Sequence, residues 1–117
     1  MIDDNDLVSV IITTYCGSDN IARSIKSVLN QTYQNFEIIV VDDNDPNSKS
    51  RIDTEKIIEG FKSDKIIYIK HPQNFNGSVA RNTGISVAKG RFIQFFLLFF
   101  VFLLILGIFI CINDFLY

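Results

Sequence analysis

Charge of one sign is what this sequence most lacks. Its 117 residues carry 11 Lys and Arg against 13 Asp and Glu, a formal net charge of -2. So even a balance leaves no basic footprint for nucleic acid, and that class of partner is excluded. Cysteine is scarce as well. Cys16 and Cys111 are the only two, and their spacing suggests neither a zinc site nor a disulfide framework, so the chain reads as intracellular and reduced. Residues 1–6, Met1-Ile2-Asp3-Asp4-Asn5-Asp6, are acidic and lack the basic n-region of a signal peptide. Histidine occurs once, as His71 ahead of Pro72. A lone loop histidine reads as solvated and is assigned no role. There is no internal repeat, and the length suits one small domain or part of a larger one.

What is present is concentrated in short apolar runs. Ile38-Ile39-Val40-Val41 reads as a strand buried on both faces, and Asp42-Asp43-Asn44 stands where it would run out into a loop. The carboxyl edge of a sheet is where open α/β folds bind ligands. Asp42-Asp43-Asn44-Asp45-Pro46-Asn47-Ser48 also has the chemistry of a plain turn. Leu7-Val8-Ser9-Val10-Ile11-Ile12 is a second buried strand, ending in Thr13-Thr14-Tyr15-Cys16-Gly17, where Cys16 reads as a small buried side chain. Between the two, Ile21, Ile25, Val28 and Leu29 recur at helical spacing behind a Ser18 or Asp19 N-cap. Further helices are expected over 54–62 and 78–88, and further strands over 66–69 and 92–95. The 78–88 helix should bury Val79, Ala80, Thr83 and Val87, with Gly90 closing it. Alternating strands and helices predict an α/β fold with a parallel sheet.

Three patches then fit together. They are Val8-Ser9-Val10-Ile11-Ile12-Thr13-Thr14-Tyr15, then Phe36-Glu37-Ile38-Ile39-Val40-Val41-Asp42-Asp43, then Asn74-Phe75-Asn76-Gly77-Ser78-Val79-Ala80-Arg81-Asn82-Thr83-Gly84. Their order and spacing resemble the N-terminal half of the inverting family 2 glycosyltransferases. Ser27-Val28-Leu29-Asn30-Gln31-Thr32-Tyr33 and Gly90-Arg91-Phe92-Ile93 look like two of that family's links. The similarity covers residues 7–95. It implies a GT-A fold, a Rossmann-like half-domain of strand order 3-2-1-4 that binds a nucleotide-diphosphate sugar, in all a UDP-sugar. By matching position, Thr13 and Tyr15 would lie beside the nucleotide, with Tyr15 packed on the base. Asp42 and Asp43 would close the same site, with Asp43 accepting a hydrogen bond from the uracil ring N–H. Arg81 would face the nucleotide or its phosphates.

The resemblance stops at Phe95. Family members continue into an Asp-x-Asp motif that holds the Mg²⁺ or Mn²⁺ bridging the two phosphates. Here Phe96-Leu97-Leu98-Phe99-Phe100 follows, so no metal ligand and no catalytic residue is assigned. Residues 92–112 are almost wholly apolar and have two compatible readings. One is a C-terminal membrane helix, since a span takes about 20 such residues. Lys89 and Arg91 before it would keep the domain cytoplasmic. The other is the product of a reading-frame slip or early stop. The expected function is therefore nucleotide-sugar binding for glycosyl transfer in polysaccharide or glycoconjugate synthesis, in a chain inactive on its own, with the acceptor unassigned. Two alternatives stand beside it: a non-enzymatic, membrane-anchored α/β module that binds nucleotide or a partner, and a product that does not fold.

Overall fold

The computed structural model describes residue 3 and residues 5–96. Seven elements alternate along these residues: β1 (Val8–Thr14), α1 (Ser18–Leu29), β2 (Phe36–Asp42), α2 (Lys49–Phe61), β3 (Ile66–Lys70), α3 (Gly77–Val87) and β4 (Phe92–Phe96). The four strands form one parallel sheet in the order β3-β2-β1-β4. This is the topology expected from the sequence. β1 and β2 lie in the middle of the sheet, which explains their near-continuous apolar sequence. All seven residues of β2 are buried.

Alternation along each strand sorts side chains onto two faces. Val8, Val10 and Ile12 of β1 join Ile38 and Val40 of β2 against Ile21, Ile25 and Val28 of α1 and Ile58 of α2. On the opposite face Ile11, Ile39, Val41 and Ile93 pack with Ala80 of α3. The first face therefore carries two helices and the second carries one.

Several local expectations change. α1 is capped by Gly17, with no side-chain cap bond, rather than by Ser18 or Asp19. α2 begins well before residue 54, because the Ser48 side chain accepts a hydrogen bond from the Arg51 backbone N–H and caps it. Its first turns bury Arg51 rather than an apolar residue, so hydrophobic spacing could not show them. α3 buries Ala80 and Gly84, while Val79 and Val87 are 40% and 37% exposed. The reason is close approach. A Cβ on Gly84 would sit 2.6 Å from the Ile11 side chain. Only small residues fit where the helix crosses Ile11, so Val79 and Val87 turn outward while Ile85 packs at the margin of the core. Gly90 does not close α3, whose C-cap is Ala88. It is small because a Cβ there would meet the Ser9 backbone nitrogen at 2.6 Å and the Leu7 carbonyl oxygen at 2.8 Å.

Residues 92–96, the start of the expected apolar tail, are β4, paired with β1 from Val8↔Phe92 to Ile12↔Phe96. The expected C-terminal helix and its membrane and frame-slip readings otherwise fall on residues 97–117, outside the described residues. Among the described residues no helix is long and apolar enough to cross a membrane.

Candidate nucleotide site

At the carboxyl edge of the sheet, where β1 and β2 end beside the start of α3, lies a cleft of about 250 Å³. Thr13, Thr14, Tyr15, Asp43, Asn74, Asn76, Gly77 and Ala80 line it. β1 lies between β2 and β4, so the chain leaves it for β2 on one side while β4 joins on the other. Such a reversal is the switch point at which open α/β sheets bind ligands.

The first wall is the end of β1. Thr13 is half-buried, Thr14 is buried and Tyr15 is 55% exposed, so an aromatic face stands open at the rim. The turn that follows has a left-handed residue, Cys16, with φ 53°. Cys16 is exposed, contrary to the buried placement expected for it. Its backbone N–H donates to Asn44 Oδ1 at 2.7 Å, which holds the turn against the end of β2. Proximity to Cys16, chiefly its charge, raises the Tyr15 phenol above its ordinary pKa. The phenol therefore stays neutral through the physiological range.

The two acids at the end of β2 point to opposite faces. Asp42 is fully buried on the α2 side and does not line the cleft. Its Oδ1 accepts from the Asn44 backbone N–H at 3.0 Å and Asn44 Nδ2 at 2.7 Å. Its Oδ2 accepts from the Tyr68 hydroxyl at 2.5 Å and pairs with Arg51 Nε at 3.1 Å. Burial first, then the hydrogen bond to this carboxylate, push the Tyr68 phenol far above its usual pKa. Asp43 is 2% exposed and does reach the cleft. Its Oδ1 accepts from His71 Nδ1–H at 2.8 Å and the Phe75 backbone N–H at 2.9 Å. Its Oδ2 accepts from Asn74 Nδ2 and the Asn76 backbone N–H, each at 3.0 Å. A carboxylate offers about four acceptor positions, and here the loop before α3 takes them all.

His71 is not solvated, as the sequence suggested, but 6% exposed and wedged between Asp43 and Thr83. The carboxylate only accepts, so Nδ1 carries the proton, and Nε2 lies 2.9 Å from Thr83 Oγ1. The sequence did hold a signal for this. β2 and β3 pair Asp42 with Lys70, so the next residues, Asp43 and His71, face each other across the sheet edge. Arg51 was likewise missed, and so were Asn74, Asn76 and Gly77 as lining residues.

Arg81 is exposed on α3 and lies outside the lining set. Its Nη2 donates to Ser78 Oγ at 3.2 Å, and its Nη1 is 3.2 Å from where a Gly77 Cβ would sit. The guanidinium thus folds back over the first turn of α3, beside a residue that lines the cleft. The structure therefore brings together Thr13, Tyr15 and Asp43, sets Arg81 at their rim, and turns Asp42 away.

The residue 9–96 segment matches the family model described as Glycosyl transferase family 2. The chain belongs to that family. An Escherichia coli relative, UDP-Glc:alpha-D-GlcNAc-diphosphoundecaprenol beta-1,3-glucosyltransferase WfaP, is 42% identical over 90 residues, which cover 77% of this chain and 34% of that protein. Among solved structures, S. aureus TarS 1-349 in complex with UDP superposes with a TM-score of 0.64 at 29% identity, over 76% of this chain and 26% of that one. The Pyrobaculum calidifontis mannosyltransferase PcManGT, in complex with GDP-Man and Mn²⁺, superposes at 0.65 over 78% of this chain and 27% of that one. At 20% identity it supports the fold alone. The matched stretch of this family 2 chain spans between 12% and 34% of the length of these curated relatives.

The divalent metal that the family resemblance implies finds little to bind here. Among the described residues no three His, Cys, Asp or Glu side chains cluster as ligands. At the cleft both oxygens of Asp43 are already engaged, and Asp42 lies beneath the sheet edge, so the described side chains do not fit a divalent ion.

Proposed function

We propose that this chain is the nucleotide-binding part of a family 2 glycosyltransferase and that its cleft takes a UDP-sugar. The observation that carries this is the cleft itself: an open aromatic face, Tyr15, beside Thr13, Asp43, Asn74 and Asn76 at the sheet's switch point. The UDP-bound TarS structure and the UDP-Glc named for the E. coli relative support the choice of uridine. In this reading Tyr15 packs on the base, and Thr13 lies along the nucleotide. Arg81 swings from Ser78 onto the phosphates, where a fixed charge and forked donors suit a diphosphate. Asp43 serves base recognition by presenting Asn74 and Asn76 at the cleft; a uracil N–H reaching its carboxylate would displace one of those donors. Asp42 acts from beneath, through Asn44.

Binding without turnover is the further expectation. The carboxylates that would hold Mg²⁺ or Mn²⁺ are absent from the stretch after β4, where Leu97-Leu98-Phe99-Phe100 stands. Polysaccharide or glycoconjugate synthesis is the proposed setting. Calorimetric titration with UDP tests the reading. Saturable binding is expected, weakened about tenfold or more by Tyr15→Ala, because base–aromatic stacking contributes ~1–3 kcal/mol. No heat with UDP, or equal heat from the Tyr15→Ala variant, would sink it. UDP release from UDP-sugars above that of an Asp43→Ala, Arg81→Ala control would overturn the expectation of inactivity.

Attachment to a membrane, with the domain on the cytoplasmic side, is a separate proposal. It rests on the apolar composition of residues 97–112, because 92–96 are committed to β4. As a helix that stretch would reach about 24 Å, against a hydrocarbon core of about 30 Å. Flotation with lipid vesicles in high salt should fail once the chain is cut after Phe96. Equal flotation of the cut and uncut chains would refute it.

A further inference from the structure

We propose that Arg51 is a positioning residue for the nucleotide cleft, holding the loops after β2 and β3 at a fixed separation. The inference rests on the proposed nucleotide reading for its ligand, but its geometry stands apart from it. Arg51 comes from the first turns of α2 and is buried, with its side chain 6% exposed. Its Nε lies 3.1 Å from Asp42 Oδ2, an ion pair whose angle does not make an aligned hydrogen bond. The aligned donor is Nη2. It donates to the Asn44 carbonyl at 2.6 Å and the His71 carbonyl at 2.7 Å, with the Asp42 carbonyl further off at 3.2 Å.

That nitrogen has two protons. The two short bonds therefore take one each, and they go to different loops. Asn44 stands in the loop after β2, and its side chain holds the Cys16 backbone N–H beside Tyr15. His71 opens the loop after β3, and its ring bonds Asp43, the acceptor for Phe75 and Asn76. One planar nitrogen thus sets the distance between the wall that carries Tyr15 and the wall that carries Asn74 and Asn76. Stability alone does not call for a buried ion pair here, since well-packed apolar residues commonly replace such pairs at no loss. What an apolar residue could not supply is the fork.

Arg51→Lys keeps the charge and removes the fork, and Arg51→Gln keeps a planar donor without the charge or the reach. Amide hydrogen exchange on the full ligand-free chain gives the deciding readout. Cys16, Phe75 and Asn76 have backbone N–H groups held by side chains of this network. Lys89 and Gly90 have theirs held by Glu37 and Ser9 at the far end of the sheet. In a variant that still melts cooperatively, protection of the first three should fall tenfold or more while the last two stay unchanged. UDP should bind at least tenfold more weakly. If both sets fall together, or neither falls, Arg51 is only a structural residue and the proposal is overturned.

If neither variant folds, the unaltered chain decides. With UDP at about 100 times its Kd, opening of the Arg51 network should be suppressed about 100-fold. The Arg51 Nε–H and the Cys16 N–H should then exchange that much more slowly, with Lys89 and Gly90 unaffected. Unchanged Arg51 exchange, while the Tyr15 signals report bound UDP, would overturn the proposal. Failure of UDP to bind at all refutes the nucleotide reading instead, and the ligand-free exchange comparison still judges Arg51.

Discussion

Glu37 and Asp43 face the same side of β2 from opposite ends of it, and each carboxylate holds one end of α3. At the amino end Glu37 Oε2 accepts from the Lys89 backbone N–H at 2.7 Å, just past α3, and from Ser9 Oγ at 2.6 Å. Ser9 Oγ in turn accepts from the Gly90 N–H at 2.8 Å. At the carboxyl end Asp43 accepts from Phe75 and Asn76, just before α3. The amino-end cluster ties buried backbone together and does not line the cleft at the carboxyl edge. The carboxyl-end cluster has more partners, includes a histidine and a nearby buried arginine, and opens on the cleft. Two acids of similar burial therefore do different work. One closes a backbone junction, and the other organises a loop that a ligand can meet.

Removing the second acid should have the largest effect. Asp43→Ala leaves four donors without their acceptor, at a cost of about 3 kcal/mol or more. Nucleotide binding should vanish with it, as read by urea unfolding and UDP titration on the same preparation. The matching strike at the amino end is Gly90→Ala, whose Cβ would meet the Ser9 backbone nitrogen and Ser9 Oγ at 2.6 Å and the Leu7 carbonyl oxygen at 2.8 Å. A loss of roughly 2 kcal/mol is expected, with UDP affinity of the folded protein unchanged. Weakened UDP binding there would erase the distinction between the two ends. Tyr68→Phe is milder. It removes a hydrogen bond to Asp42 and should cost about 1 kcal/mol at neutral pH. It also has a pH signature. The folded state holds the Tyr68 proton more tightly than the unfolded chain does. That share of stability is complete below about pH 10 and is lost as pH rises through the raised value. The parent should therefore lose stability above about pH 10 more steeply than Tyr68→Phe does, as followed by circular dichroism.

The strands were legible because buried parallel strands announce themselves as apolar runs, while their order followed from the family resemblance. β1 and β2 needed nothing else. The helices were legible only where they bury large side chains. α1 does so with Ile21, Ile25 and Val28. α2 opens on a Ser48 cap and a buried arginine, and α3 presents Ala80 and Gly84 to the sheet, so in both the apolar spacing misled. The site divided in the same way. Thr13, Tyr15 and Asp43, named from the family resemblance at the strand ends, do line the cleft. His71 and Arg51 were missed, because a single polar residue gives no hint of burial until the register across β2 and β3 supplies its partner.

The pairing of β1 with β4 has a consequence for the order of events in folding. Val8 and Phe92 are register partners at opposite ends of the described chain, and β1 occupies the centre of the sheet. A ribosome releases β1 before any other described strand and its second neighbour after all of them. Until β4 emerges, one edge of β1 has no strand to bond. Long-range parallel pairing of this kind is intrinsically slow, because chain closure must precede the contacts that reward it. Domains can begin to fold during synthesis, but here the β1–β2 pair must wait for β4, with an apolar edge exposed meanwhile. Of the described strands, Phe92–Phe96 is thus the last that can dock, and how soon it emerges bounds how long that edge of β1 stays open.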